Sequence, residues 1–305
     1  MNGKIKGYIF GAFSAASYGL NPTFTLPLYV AGLNPDSVLL LRYGLAILVS
    51  ALMIAVSGKS FRVPGNCIIP LMVLGLLMAI SSLTLFVSYK YMSAGVASTI
   101  LFVYPIMVAV IMAVFYKEKL TVRTILCILL AAAGIFLLYN TGGGSVLSLV
   151  GTLMVIASAL AYAIYLVFIN QKKLSGIPTL VITFYVLLFG SSIFFVRMLS
   201  GTAELKLPGT WYLWLDLFGL VLFPTVISFM CTTRAIQLIG STPTAILGAL
   251  EPVTAVVMGI ILFNEGMTWR EAAGIFLILA AVSSVIAGGM IEQRMTGFLA
   301  HFRSR

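Results

Sequence analysis

YPIMVAVIMAVFYKEKLTVR (104–123) and EPVTAVVMGIILFNEGMTWR (251–270) are two copies of one pattern, set 147 residues apart. Each places a proline near the head of an apolar run and a Glu, a Thr and an Arg just past its end. Pro105 falls on Pro252, Glu118 on Glu265, Thr121 on Thr268 and Arg123 on Arg270. Without gaps, eight of 29 positions match between 105–133 and 252–280. Apolar identities mean little in such runs, but four polar or proline matches at fixed spacing indicate an internal repeat.

The repeat extends outward in both directions. At the same offset Ser81 falls on Ser228, and at an offset of 144 Ser14 meets Ser158 and Tyr18 meets Tyr162. Between these landmarks the chain is a series of apolar stretches. A helix rises ~1.5 Å per residue, so a ~30 Å hydrocarbon core needs ~20 apolar residues. Ten such spans are read near 7–30, 37–57, 68–88, 96–116, 122–139, 149–170, 178–198, 211–232, 243–263 and 271–289. The expected fold class is therefore an all-α membrane protein. Its ten transmembrane helices form two inverted five-helix repeats, 1–140 and 148–290, followed by a cytoplasmic tail, 291–305. Five spans per half is an odd number, so the second half must enter the bilayer from the opposite side. Asn140 to Ser145, with three glycines, reads as a flexible linker between the halves.

Composition excludes several other classes. Hydrophobic residues make up 61% of the chain and charged residues 9%, against about 25% charged in soluble domains. Lys4 and Lys6 before an apolar run resemble a signal peptide, but nine further spans follow, so the first is read as a retained helix. The net charge of +10 is a topology signal rather than a nucleic-acid footprint. With the N-terminus inside, interior loops and tails carry 13 Lys and Arg and exterior loops carry 4, with Arg42 inside a span. That bias puts both termini in the cytoplasm of a cell membrane, the inner membrane if the source is bacterial. Arg303 and Arg305 form a short basic tail, read as a solvated end. Cys67, Cys127 and Cys231 are scattered, and His301 stands alone. No metal-ligand spacing, nucleophile elbow or phosphate loop appears, so no metal, cofactor or ATP hydrolysis is expected.

The quoted segments, with SYGLNP (17–22) and LLLRYGL (39–45), resemble the drug/metabolite transporter superfamily in its ten-span EamA-type branch. The resemblance covers essentially the whole chain. It implies a secondary transporter, an exporter of amino acids or other small metabolites, with a central cavity bounded chiefly by spans 1, 3, 4, 6, 8 and 9. The alternative class is a non-transporting membrane protein, a sensor or intramembrane enzyme. Clustered catalytic groups or a soluble output domain would mark those, and the sequence has neither.

Polar residues at membrane depth point to the path, because lipid leaves them without partners. Glu251 lies ~12 Å of helix rise inside span 9. Its repeat mate is Tyr104, so the charge is not a symmetric structural need. It is read as a pathway group suited to proton exchange or a cationic solute, against a structural hydrogen-bonding carboxyl. Arg42 is either a carboxylate partner or, the favoured reading, a structural anchor snorkelling to the headgroups. Asn21-Pro22, then Pro27, interrupt span 1 and free carbonyls, which marks either a binding site or a kink that only shapes packing. Pro105 and Pro224 carry the same two readings, while Pro243 reads as a first-turn proline. Ser14, Tyr18, Ser81, Tyr104, Ser158, Tyr162, Tyr165 and Ser228, with Thr84 and Thr232, form the expected polar and aromatic lining. Each Ser or Thr alone is as readily helix–helix glue. Asp216 reads as an interface residue. Glu118, Glu265 and Glu271 read as end caps, and Ala131 to Gly134 as close packing. The expected partners are a small-molecule substrate, the lipid bilayer and protons; oligomeric state is not readable.

Overall fold

Proline and glycine decide where the helices stop. In the computed structural model they cut the apolar runs into thirteen α-helices, with no strand among the described residues. The structure describes residues 3–92, 94–117, 122–139, 148–169, 172–174, 176–263, 269–270, 272–274, 276–277, 279–281 and 284. The 140–147 linker, Glu118, Glu265, Glu271, the 291–305 tail and much of 271–289 lie outside them.

Span 1 is two helices rather than one, α1 (Gly3–Tyr18) and α2 (Asn21–Val30). Pro22 has no N–H to give, so it begins a helix more easily than it continues one. Span 2 is α3 (Pro35–Val56), capped by the Asn34 side chain on the Ser37 N–H at 2.7 Å. Span 3 is α4 (Gly65–Ser88). Span 4 is also broken, into α5 (Ala94–Leu101) and α6 (Tyr104–Tyr116), with Pro105 in the first turn of α6. Then follow α7 (Val122–Tyr139), α8 (Leu149–Phe168) and α9 (Thr179–Leu199).

Span 8 is longer than expected. It runs through α10 (Trp211–Val221), a π-helical stretch Leu222–Ile227 around Pro224, and α11 (Ser228–Ile239). The wide turn answers the missing proline N–H by shifting the hydrogen-bond register. Arg234 is therefore helical, not in a loop. Span 9 divides into α12 (Ser241–Leu247), with Pro243 in its first turn, and α13 (Leu250–Phe263). Pro252 opens α13 as Pro105 opens α6. Among the described residues five helical runs are long and apolar enough to cross a bilayer: Pro35–Val56, Gly65–Ser88, Leu149–Phe168, Thr179–Leu199 and Trp211–Ile239.

The core lies between helices and the apolar exterior is the lipid-facing surface. Val30, Val56, Phe115 and Leu149 are largely exposed, as hydrocarbon solvent permits. Trp211, Tyr212 and Trp214 cluster at one end of α10, in the manner of an interfacial aromatic belt. α4 and α9 approach at backbone distance through Gly75 and Gly190. A Cβ on Gly75 would sit 2.7 Å from the Val186 carbonyl oxygen, so only glycine fits there.

Loops sort onto two faces. Asn34 and Ser37 hydrogen-bond the Glu204 carbonyl, and Arg197 pairs with Asp36 at 2.6 Å. That joins the 31–37 and 197–206 ends. Arg197 thus lies in the last turn of α9, not in the loop after it. On the other face the Cys67 thiol approaches the Lys173 carbonyl and Tyr185 donates to the Phe61 carbonyl.

Candidate functional site

Three helix interruptions meet around one pocket. The break between α1 and α2 contributes Tyr18, Gly19, Asn21 and Pro22. Leu85 and Tyr89 come from the end of α4, Ser98 and Leu101 from α5, and Glu251 from the first turn of α13. The pocket holds about 240 Å³ of space, counting what opens at its mouth.

Local chemistry explains each placement. Gly19 lets α1 lie on the α13 backbone, since a Cβ there would meet the Thr254 side chain at 2.7 Å. Asn21 is 2% exposed and neither atom of its side-chain amide has a partner. Glu251 is 7% exposed and accepts a hydrogen bond from the Tyr104 hydroxyl at 3.3 Å. These two are repeat mates, each in the first turn of the helix that a proline opens. Tyr162 packs edge-on to Tyr104 at 4.8 Å and stacks between Tyr18 and Tyr165, at 6.1 Å from each. The four tyrosines form a continuous aromatic wall behind the carboxylate.

The serines take a different role in this conformation. Ser14 binds the Ser228 hydroxyl at 3.1 Å and Thr232 at 2.5 Å. Ser81 binds Ser158 at 3.0 Å, and Ser158 donates to the Ser81 carbonyl at 2.7 Å. All four line helix contacts, α1 with α11 and α4 with α8, rather than the pocket. The contacts are reciprocal: each joins a repeat copy of span 1 to a repeat copy of span 3. Thr84 returns its hydroxyl to the Ile80 carbonyl of its own helix.

Arg42 corrects the snorkelling reading. It is fully buried and points inward, so it cannot reach headgroups. Its Nε donates to Thr225 Oγ1 at 2.5 Å and its Nη2 to the Pro224 carbonyl at 3.1 Å. Its guanidinium carbon lies 5.4 Å from the Phe86 ring centre. The guanidinium therefore satisfies the carbonyl and hydroxyl at the π-turn. Asp216 is outside the pocket wall.

The residues joined here were partly visible in the sequence. Tyr18, Asn21, Pro22 and Glu251 line the pocket, and Tyr104, Tyr162 and Tyr165 form the wall behind it. Gly19, Leu85, Tyr89, Ser98 and Leu101 were missed. Ser81, Leu85 and Tyr89 are four apart, one stripe of α4, and that spacing was the available signal for two of them. Among the described residues no group of three or more His, Cys, Asp or Glu could hold a metal.

A pocket lined by a buried acid inside a bundle of apolar broken helices is compatible with a membrane transporter, the class that comparison with known proteins shows. The EamA-like transporter family model matches residues 5–140 and again 149–287, so the chain belongs to that family. An uncharacterized transporter of Archaeoglobus fulgidus is 26% identical over 290 residues, covering 92% of this chain and 99% of its own. The uncharacterized transporter YdfC of Bacillus subtilis is 27% identical, covering 90% of this chain and 88% of its own. A protein of known crystal structure superposes with a TM-score of 0.76 at 17% identity, covering 95% of this chain and 98% of that chain, which bears on the fold alone.

Proposed function

We propose that the chain is a secondary transporter that exports a small organic metabolite by alternating access, with the solute bound at the Glu251 pocket. The observation that carries this reading is the buried acid in a pocket built from the breaks in spans 1, 4 and 9. Transporters use broken helices there because the freed backbone and polar groups need a wet or ligand-filled cavity. Ten spans in two inverted repeats fit the reciprocal Ser14–Ser228 and Ser81–Ser158 contacts, since inverted halves can exchange conformations.

The conformation fits an outward-facing state. The pocket adjoins Leu85 and Tyr89, close to Lys90 on the side read as exterior. Toward the side of Lys4 and Lys6, α1 lies directly on α11 and α12, with Gly7 against Leu238 and Ile239 and Gly11 against Leu247. In the proposed cycle that contact opens while the pocket mouth closes. Glu251 is the acid placed to carry a proton or meet a cationic solute. Both termini are cytoplasmic in this reading.

Flux through the reconstituted protein tests it. Liposomes preloaded with a mixture of labelled amines, amino acids and organic acids are followed for release, wild type against Ser98→Trp, which fills the pocket from its half-buried α5 wall. Wild type should release at least one solute at a rate that Ser98→Trp lowers at least tenfold, with equal insertion. Equal rates in the two proteins, or release no faster than from empty-membrane controls, would overturn the proposal.

A further inference from the structure

Arg42 and Glu251, two buried charges among the described residues, are not alike in what surrounds them. Arg42 is held by Thr225, the Pro224 carbonyl and the Phe86 ring, with its Nη1 buried without a partner, and it is absent from the pocket wall. Glu251 is on the wall, and its described bond is the long one from Tyr104. No described lysine or arginine lies within ion-pair distance of it. A carboxylate held away from water without a counter-charge is costly, so a bound cation is the partner that the site lacks.

The other groups fit the same ligand. Asn21 is buried on the wall with its side-chain carbonyl unengaged, and that oxygen can only accept. An ammonium group offers three N–H donors and no acceptor, which matches a carboxylate beside an amide oxygen. The rings of Tyr18 and Tyr89 border the same space, and aromatic rings attract cations where water is excluded. An anionic solute would face Glu251 with no basic group on the wall. Arg42, whose Nε and Nη2 are used and whose Nη1 is not, stands off that wall.

We propose that the pocket binds its solute through a protonated primary amine, with Glu251 as counter-ion, the Asn21 side-chain carbonyl as hydrogen-bond acceptor and the Tyr18 and Tyr89 rings beside it. The inference rests on the transport reading and names its substrate class, a small organic amine. The ammonium is recognised, and the wall carries no basic group for a second, anionic end.

A matched set of probes tests this on the purified full chain in lipid nanodiscs. 2-Phenylethylamine, 2-phenylethanol, 3-phenylpropionate and phenylalanine share one ring and differ in charge. Binding is read by calorimetry and by the rise in unfolding temperature. The amine should bind at least tenfold more tightly than the alcohol or the acid, and phenylalanine no more tightly than the amine. Glu251→Gln, which keeps the size and the Tyr104 contact, should lose at least tenfold in amine affinity; Asn21→Ala should lose severalfold. Wild-type selectivity alone decides the matter if either variant folds poorly. Equal binding of amine and alcohol, no binding by any probe, an undiminished Glu251→Gln, or phenylalanine binding tenfold more tightly than the amine would each overturn the inference. Solute-free thiol labelling of the two faces of the pocket, described at the end of the Discussion, tests alternating access separately, so a wrong substrate class and a wrong mechanism give different results.

Discussion

Replacing Gly75 by alanine should separate the α4–α9 pair, and the size of the effect can be worked from distances. The added methyl would lie 2.7 Å from the Val186 carbonyl oxygen, 2.8 Å from the Gly190 nitrogen and 2.8 Å from the Phe189 Cβ. Two of those atoms are backbone, so no side-chain rotation relieves the contact. Carbon atoms prefer ~3.5–4.0 Å, so the helices must part by roughly 0.7 Å or more along their contact. Overpacking of this kind costs about 1–3 kcal/mol. Alanine is also the better helix former by about 1 kcal/mol, which works in the other direction. Gly44 on α3 isolates that gain, because nothing lies within 4 Å of a Cβ built there. Gly44→Ala should thus be neutral or slightly stabilising and Gly75→Ala less stable than it by about 1–3 kcal/mol, the overpacking cost alone, since both share the helix gain. Reversible unfolding in mixed micelles, followed by circular dichroism, measures both. Gly75→Ala matching Gly44→Ala within error would refute the close backbone packing.

Two further experiments probe the polar contacts. Double-mutant cycles to alanine at Ser14–Ser228 and at Ser81–Ser158 should give coupling energies of similar size, about 0.6 kcal/mol and at most ~1.7; a coupling at one pair with none at the other would break the reciprocity between the halves. Arg42→Met should destabilise by about 3 kcal/mol or more, from two buried charge-assisted bonds at ~1.5–3 kcal/mol each. The same unfolding assay reads it, and a cost under ~1 kcal/mol would mean that the π-turn stands without Arg42.

What the sequence disclosed and what it hid follow from the range of the forces involved. Helix breaks were legible because proline acts on its own backbone, so Pro22, Pro105 and Pro224 marked irregular backbone without any knowledge of neighbours. Glu251 was legible for a related reason, since a carboxyl in lipid is costly whatever packs against it. The destination of each hydroxyl was not. Ser14 and Ser81 sit on helix faces that fit a pore or a partner equally well, and partners more than 70 residues away decide between them. Arg42 misled through its position near a helix end, which suggests snorkelling; its true partner is a carbonyl at the π-turn around Pro224, far along the chain. Leu85 and Tyr89 were passed over because apolar and aromatic residues in an apolar helix carry no contrast.

The central claim is that the pocket communicates with one side of the membrane at a time. In a cysteine-free background, single cysteines at Ser98, on the pocket wall, and at Leu247, buried where α1 covers α12, report the two faces. A membrane-impermeant maleimide is applied to right-side-out and inverted vesicles. The account predicts labelling at 98 from the exterior only and at 247 from the interior only. It also predicts that, with both cysteines present, a bulky maleimide already on 98 holds the outward mouth open and suppresses reaction at 247 at least fivefold. Labelling of both positions from the same side, or reaction at 247 unaffected by the adduct at 98, would contradict it.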